Sequence, residues 1–188
     1  EVQKTRQFAE SIQQRIAEQD NESLTGWIVD LRNNSGGNMW PMIAGLGPLL
    51  GEGIHGYFVN PDEEFTSWSY SNGSSKLRYL NMVTIAEPYE LLNKTPKIAV
   101  LSSKNVASSG EATLIAFKKK FNVKIFGENS CGLSTSNISF ELGDGSRLIL
   151  TTEVIADREQ EKYGGPVLVD VSVSQDKIME EAINWLQN

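Results

Sequence analysis

The chain has 188 residues, enough for one ordinary domain with a real core and too few for a comfortable pair of domains. Its 17 Lys and Arg stand against 24 Asp and Glu, a formal charge of −7. That balance argues against a nucleic-acid groove or an anionic membrane surface as the main partner. A composition of 39% hydrophobic and 22% charged residues, with 16 Gly and 6 Pro, excludes disordered, collagenous and low-complexity classes.

Two singletons narrow the chemistry. One cysteine, Cys131, allows no internal disulfide and no cysteine-rich zinc site, and one histidine, His55, leaves few ways to build a Ser-His-Asp device from this chain alone. No run of about 18 apolar residues occurs, so no membrane-spanning segment is expected. The chain opens on Glu1 with neither an initiator Met nor the apolar stretch of a signal peptide, which reads as a cut edge.

In chain order, Phe8, Ile12 and Ile16 recur at four-residue spacing and predict an amphipathic helix over residues 5–19. Residues 26–31, a short apolar and β-branched run between turn formers, predict a buried strand. Residues 32–38 form a polar loop containing Gly36 and Gly37. A second helix follows, with Met39, Met42, Ile43, Leu46, Leu49 and Leu50 on its apolar side. Residues 51–81 read as β-hairpin material at the domain edge. Residues 97–101 predict a second buried strand, residues 102–110 a serine-rich turn, residues 111–120 a helix and residues 123–127 a third strand.

Strand, polar loop and helix, repeated, imply parallel pairing with crossover helices and hence an α/β core. Beyond residues 128–137, taken as loop, residues 139–141 and 146–154 are strands around the turn Gly143-Asp144-Gly145. Residues 157–165 are a charged loop. Ser174 is expected to cap a last helix with Ile178, Met179, Ala182, Ile183 and Leu186 as its buried stripe.

In parallel α/β sheets, reactive groups gather in the loops at the carboxyl ends of strands. Two such loops stand out. Gly36 and Gly37 could turn backbone N–H groups toward an anion or a developing oxyanion, or could simply make a strand-to-helix turn. Ser108 and Ser109, at the start of a helix, could present an activated hydroxyl. Alternatively Ser108 is an N-cap, completed by Glu111 as a capping box.

Taken together, Asp30-Leu31-Arg32-Asn33-Asn34-Ser35-Gly36-Gly37, Ala107-Ser108-Ser109-Gly110-Glu111-Ala112 and Phe126-Gly127-Glu128-Asn129-Ser130-Cys131-Gly132 resemble the tail-specific or C-terminal processing serine peptidases. That family carries, in the same order, a DLR-N-x-GG loop, an S-x-x-E nucleophile turn and a GE-x-T-x-G loop. The match is looser at the chain ends, where Val167-Leu168-Val169-Asp170 stands for the family's Pro-Asp. The resemblance implies a crotonase-like, Clp-protease-like α/β fold with β-hairpin edge elements. Residues 1–188 are then a single peptidase catalytic domain, truncated at its N-terminus.

It implies a serine endopeptidase acting through an acyl-enzyme on Ser108, with Ser109 the runner-up. The oxyanion hole falls to the N–H of Ser109 with one from Gly36 or Gly37. A peptide or protein substrate and a bacterial cell-envelope or extracellular location are expected, with no cofactor and no metal. The chain departs from the pattern where Leu133 follows Gly132, the place of the family's lysine base. It is therefore closer to the branch resembling the tricorn core and the lantibiotic-resistance peptidases, whose histidine base comes from a segment before the DLR motif. The isolated chain is expected to be inactive.

His55 is read as a surface or substrate-side residue, and Asp157, Glu159 and Glu161 as a solvated charged loop. Asp30 and Glu111 are ambiguous between structure and catalysis. The rival reading is a non-catalytic ligand- or peptide-binding module on the same fold.

Overall fold

The computed structural model describes residues 2–188 and shows a mixed α/β fold built on two sheets. The first is parallel, in the order β1 (Gly26–Asp30), β6 (Lys97–Ser102), β7 (Val123–Gly127) and β10 (Val171–Ser172). The second is antiparallel, with β2 (Gly53–Val59), β3 (Phe65–Ser71), β4 (Ser74–Leu77), β5 (Leu80–Thr84), β8 (Thr135–Glu141) and β9 (Arg147–Asp157) in the order β5-β4-β3-β2-β9-β8. The stretch expected at the domain edge thus supplies four of the six strands of a full sheet.

Alternation along β6 explains how the parallel sheet is held on both faces. Ile98 and Val100 join one core with α1 (Val2–Gln19), α2 (Met39–Gly45) and α4 (Ser109–Phe117), while Ala99 and Leu101 pack on Ile178, Ala182 and Leu186 of α5 (Ile178–Gln187). A strand covered on both sides needs the continuous apolar run seen in its sequence. Helix α4 is buried all round for the same reason: residues 110–117, Glu111 and Thr113 included, are all buried.

Several expectations need correction. In α1 the inward face is Ala9, Gln13 and Ile16, while Phe8 is half exposed. Gln13 can face inward because its amide donates to Ala44 O (2.8 Å) and accepts from the Tyr89 N–H (2.7 Å), so both ends of that amide are satisfied. The second helix is two, α2 and α3 (Gly47–Leu50), with Pro48 early in the second. Ser174 makes a turn with Lys177 and does not cap α5, where Lys177 holds the N-cap position. Met179 and Ile183 stay 40% and 39% exposed.

Candidate active site

Three loops meet at the carboxyl ends of β1, β6 and β7. The loop after β6 carries Ser108, whose backbone sits at φ 53°, ψ −121°, a region that a side-chain-bearing residue rarely adopts. Ser108 is part-exposed at this sharp turn. Ser108 is also the N-cap residue of α4 and Glu111 closes a capping box on it, so both sequence readings of this turn describe the same residues.

Glu111 does more than cap. Fully buried, it accepts the Ser108 N–H (2.9 Å), the Gly132 N–H (2.7 Å) and the Ser130 hydroxyl. One carboxylate therefore ties the serine turn to the loop after β7. A second tie is the Cys131 N–H, which donates to Val106 O at 2.8 Å. A buried charge is tolerable when its lone pairs are filled in this way.

The loop after β1 locks onto the same turn from the other side. Ala107 N–H donates to Asn34 O (3.2 Å), and a Cβ on Gly110 would lie 2.2 Å from that oxygen, so only glycine lets α4 approach this closely. Gly36, at φ +113°, would put a Cβ 3.0 Å from Ala107 O and Ser108 Cβ. Its N–H donates to Asn34 Oδ1 (3.2 Å). By contrast, the N–H groups of Gly37 and Ser109 have no acceptor among the described residues, and both residues line the same cleft as Ser108. The Ser109 hydroxyl is committed, donating to Gly37 O at 2.7 Å.

The cleft has a volume of about 610 Å³ and runs from α2 and α4 across the inner face of the antiparallel sheet. Trp40, Phe58, Leu77 and Ile155 form much of its wall, and Thr135, Ser136 and Asn137 of β8 line one side. Asn38 starts the opposite rim by accepting the Trp40 N–H (3.0 Å) as the cap of α2. Neither histidine nor lysine lines it. Leu133 is 54% exposed and Cys131 is exposed.

His55 is not at the surface. The register of β2 against β3 slips between Ile54 and Gly56, making His55 the irregular residue, and a bulge of this kind re-aims a side chain. The ring is fully buried, bonded through Nε2 to Gly51 O (3.0 Å) and through Nδ1 to Arg158 Nη2 (3.3 Å). Burial, together with the neighbouring charges of Arg158 and Lys120, lowers its pKa from 6.5 to about 3. It is a neutral structural histidine.

Asp157 is likewise buried, contrary to the solvated loop expected. It accepts the N–H groups of Glu159 (2.9 Å) and Glu161 (3.1 Å) and the Tyr163 hydroxyl (3.0 Å), while Glu159 and Glu161 remain exposed. Burial beside that carboxylate raises the Tyr163 phenol above its ordinary value. Asp30 forms an ion pair with Arg32 (2.6 Å), whose hydrogen bond lowers the carboxyl pKa. Asp170 takes the Ile125 N–H (2.7 Å) and Lys118 Nζ (3.0 Å), fastening β7 to the end of α4. Asn34, Trp40 and Glu153, to which the sequence assigns no site role (Trp40 reads as core or edge packing), all face the serine turn or its cleft. For Asn34 the signal was its place inside the glycine-loop motif.

The structure thus holds a serine in this backbone state at the start of a helix, above a parallel sheet and beside a cleft of about 610 Å³, in a mixed α/β fold. The sequence comparisons carry this to a family: residues 2–173 match Peptidase family S41, and the chain belongs to it. The nisin-resistance protein of Lactococcus lactis subsp. lactis is 34% identical over 164 residues, covering 87% of this chain and 50% of that protein. The carboxy-terminal processing protease CtpB of Bacillus subtilis (strain 168) is 27% identical over 143 residues, 76% of this chain and 26% of the relative. The solved structure of a lipoprotein from Streptococcus agalactiae superposes with a TM-score of 0.77 at 29% identity, over 100% of this chain and 62% of that one. The chain therefore spans half or less of the curated relatives.

Proposed function

We propose that the whole protein is a serine endopeptidase and that residues 1–188 are its nucleophile-bearing catalytic domain. The observation that carries the reading is the strained backbone of Ser108 beside a cleft that also receives two free N–H groups. Strain of this kind costs on the order of 1–3 kcal/mol and persists where the surrounding structure enforces it. A module that only bound ligands would gain nothing from it, which favours the enzyme over the binding-module reading.

In this scheme Ser108 Oγ attacks the scissile carbonyl carbon and gives its proton to a base. The carbonyl π electrons move to oxygen, and that oxyanion is met by the N–H groups of Ser109 and Gly37. Gly37 is the better partner of the glycine pair because the Gly36 N–H is already bonded to Asn34. Collapse of the tetrahedral intermediate breaks the C–N bond, and the amine leaves with the proton. Water then hydrolyses the ester and restores Ser108. A lost oxyanion donor typically costs about 2.7–4 kcal/mol of barrier stabilisation.

The base is assigned to polypeptide outside these 188 residues. Leu133 cannot accept a proton, His55 is buried on the bulge of β2, and the cleft is lined by no Lys or His. A histidine base of the tricorn-like branch fits this. A crotonase-like, Clp-protease-like core and a bacterial cell-envelope or extracellular location belong to the same proposal.

The test is the full-length protein. Ser108→Ala is expected to abolish both peptide hydrolysis and labelling by a fluorophosphonate, while Ser109→Ala retains labelling. Undiminished turnover in Ser108→Ala would overturn the assignment.

A further inference from the structure

Among the described residues, Glu153 is the one ionisable side chain that lines the cleft. It lies on β9 two residues before Ile155, and strand alternation sends both to one face of the sheet. Ile155 is paired with Phe58 across β2, and Glu153 is paired with Ser136 across β8, so the carboxylate stands between the apolar wall and the β8 rim. Glu153 is half-buried, and among the described residues no hydrogen bond or ion pair engages its carboxylate.

An acid in that position has no partner among the described residues and can take a cation presented by a ligand in the cleft. The surroundings fit one kind of cation. Lysine and arginine side chains have apolar stems that can lie along Phe58, Leu77, Met82 and Ile155, and a charged head that can reach the carboxylate. Neutral side chains would leave Glu153 unpaired, and acidic ones would repel it.

The backbone of the ligand has a place as well. Among the described residues β8 is the last strand of its sheet and has β9 as its one neighbour; the Thr135 N–H is taken by Leu133 O (2.8 Å), and beyond it the outer edge has no strand partner where Ser136 and Asn137 line the cleft. An extended peptide can pair with such an edge and drop alternate side chains toward the sheet face. The chain's charge of −7 favours the approach of a basic peptide.

We propose that Glu153 is the charge-selecting subsite of the cleft and that the preferred substrate is an extended peptide with a Lys or Arg close to its scissile bond. The proposal rests on the peptidase reading of Ser108, and its test separates the two. In the full-length protein carrying Ser108→Ala, fluorescent peptides differing only by Lys, norleucine or Glu at the varied position are titrated by anisotropy. The Lys peptide is expected to bind about tenfold tighter than the norleucine peptide, the size of one modest ion pair, with the gap shrinking at high salt.

Adding Glu153→Gln should erase the gap, and adding Glu153→Lys should shift preference to the Glu peptide. Equal binding of the Lys and norleucine peptides, or a Lys preference that survives Glu153→Gln, overturns the subsite. So does a Glu153→Gln protein with Ser108 intact that loses kcat equally on both peptides with binding unchanged, because that marks a role in chemistry. A protein with Ser108 intact that cleaves no peptide, alongside a Ser108→Ala protein that still selects Lys, refutes the peptidase reading and keeps the subsite.

Discussion

Glu111 Oε2 accepts the main-chain N–H of Ser108 at 2.9 Å, so the sharp turn at the serine is set by an acid one helical turn further on. Its other oxygen holds Ser130 and Gly132, and a single buried side chain fixes two of the three loops that frame the cleft. Glu111→Gln keeps the shape but turns one acceptor into a donor facing donors. The expected loss is about 1–3 kcal/mol of stability, the penalty of leaving a buried donor unsatisfied, read as a lower urea midpoint. Fluorophosphonate labelling at Ser108 should slow further than peptide binding weakens. Wild-type stability and labelling in this variant would show that the turn holds without the acid.

The strain at Ser108 gives a second prediction. Glycine tolerates φ 53°, ψ −121° whereas alanine does not, and both lack the hydroxyl. Ser108→Gly is therefore expected to be more stable than Ser108→Ala by about 1 kcal/mol, even though Gly pays more entropy on folding. Chemical denaturation of the two variants decides it. Equal midpoints would mean that the turn relaxes around any small residue.

Sequence reasoning reached the parallel core because β1, β6 and β7 are short apolar runs between turn formers, a pattern set by burial on both faces. The three motifs point to Ser108 and the two glycines, and the fold brings their loops together at the carboxyl ends of β1, β6 and β7. What stayed hidden depends on contacts between distant residues. Nothing in Gly53-Ile54-His55-Gly56 announces a register slip that turns the histidine inward, and Trp68, whose ring a Gly56 Cβ would approach at 2.2 Å, is far away in sequence. Gln13 faces the core and Phe8 does not because Ala44 and Tyr89 supply partners that helical periodicity cannot foresee. Glu153 reads as one polar residue on a strand, and only the curl of the second sheet over α4 places it in the cleft.

The paired glycines differ in a way that can be measured. Both have φ near +115° and resist a side chain on backbone grounds, but a Cβ on Gly37 meets nothing within 4 Å while one on Gly36 presses on Ala107 O and Ser108 Cβ at 3.0 Å. Gly36→Ala is expected to be the less stable variant, by about 1–3 kcal/mol relative to Gly37→Ala. It should also move Ser108, so that fluorophosphonate labelling falls more in Gly36→Ala than the stability loss alone explains. Equal effects would mean that backbone strain dominates both sites.

His55 predicts a pH dependence with a definite sign. Its folded pKa of about 3 lies below the ordinary 6.5, so between those values the unfolded chain takes up a proton that the folded chain refuses. The histidine's contribution to stability is complete above about pH 6.5 and is lost as pH falls toward 3, with a slope of up to about 1.4 kcal/mol per pH unit from this group. Lys120 and Arg158, the cations near the ring, add to burial in opposing its protonation. Carboxylates titrate mainly below about pH 5. The interval from about pH 5 to 6.5 therefore isolates the histidine. Urea midpoints should fall across that interval in the wild type and stay flat in His55→Gln, whose amide can still donate to Gly51 O. Identical slopes in the two proteins would mean that the ring takes its proton without unfolding.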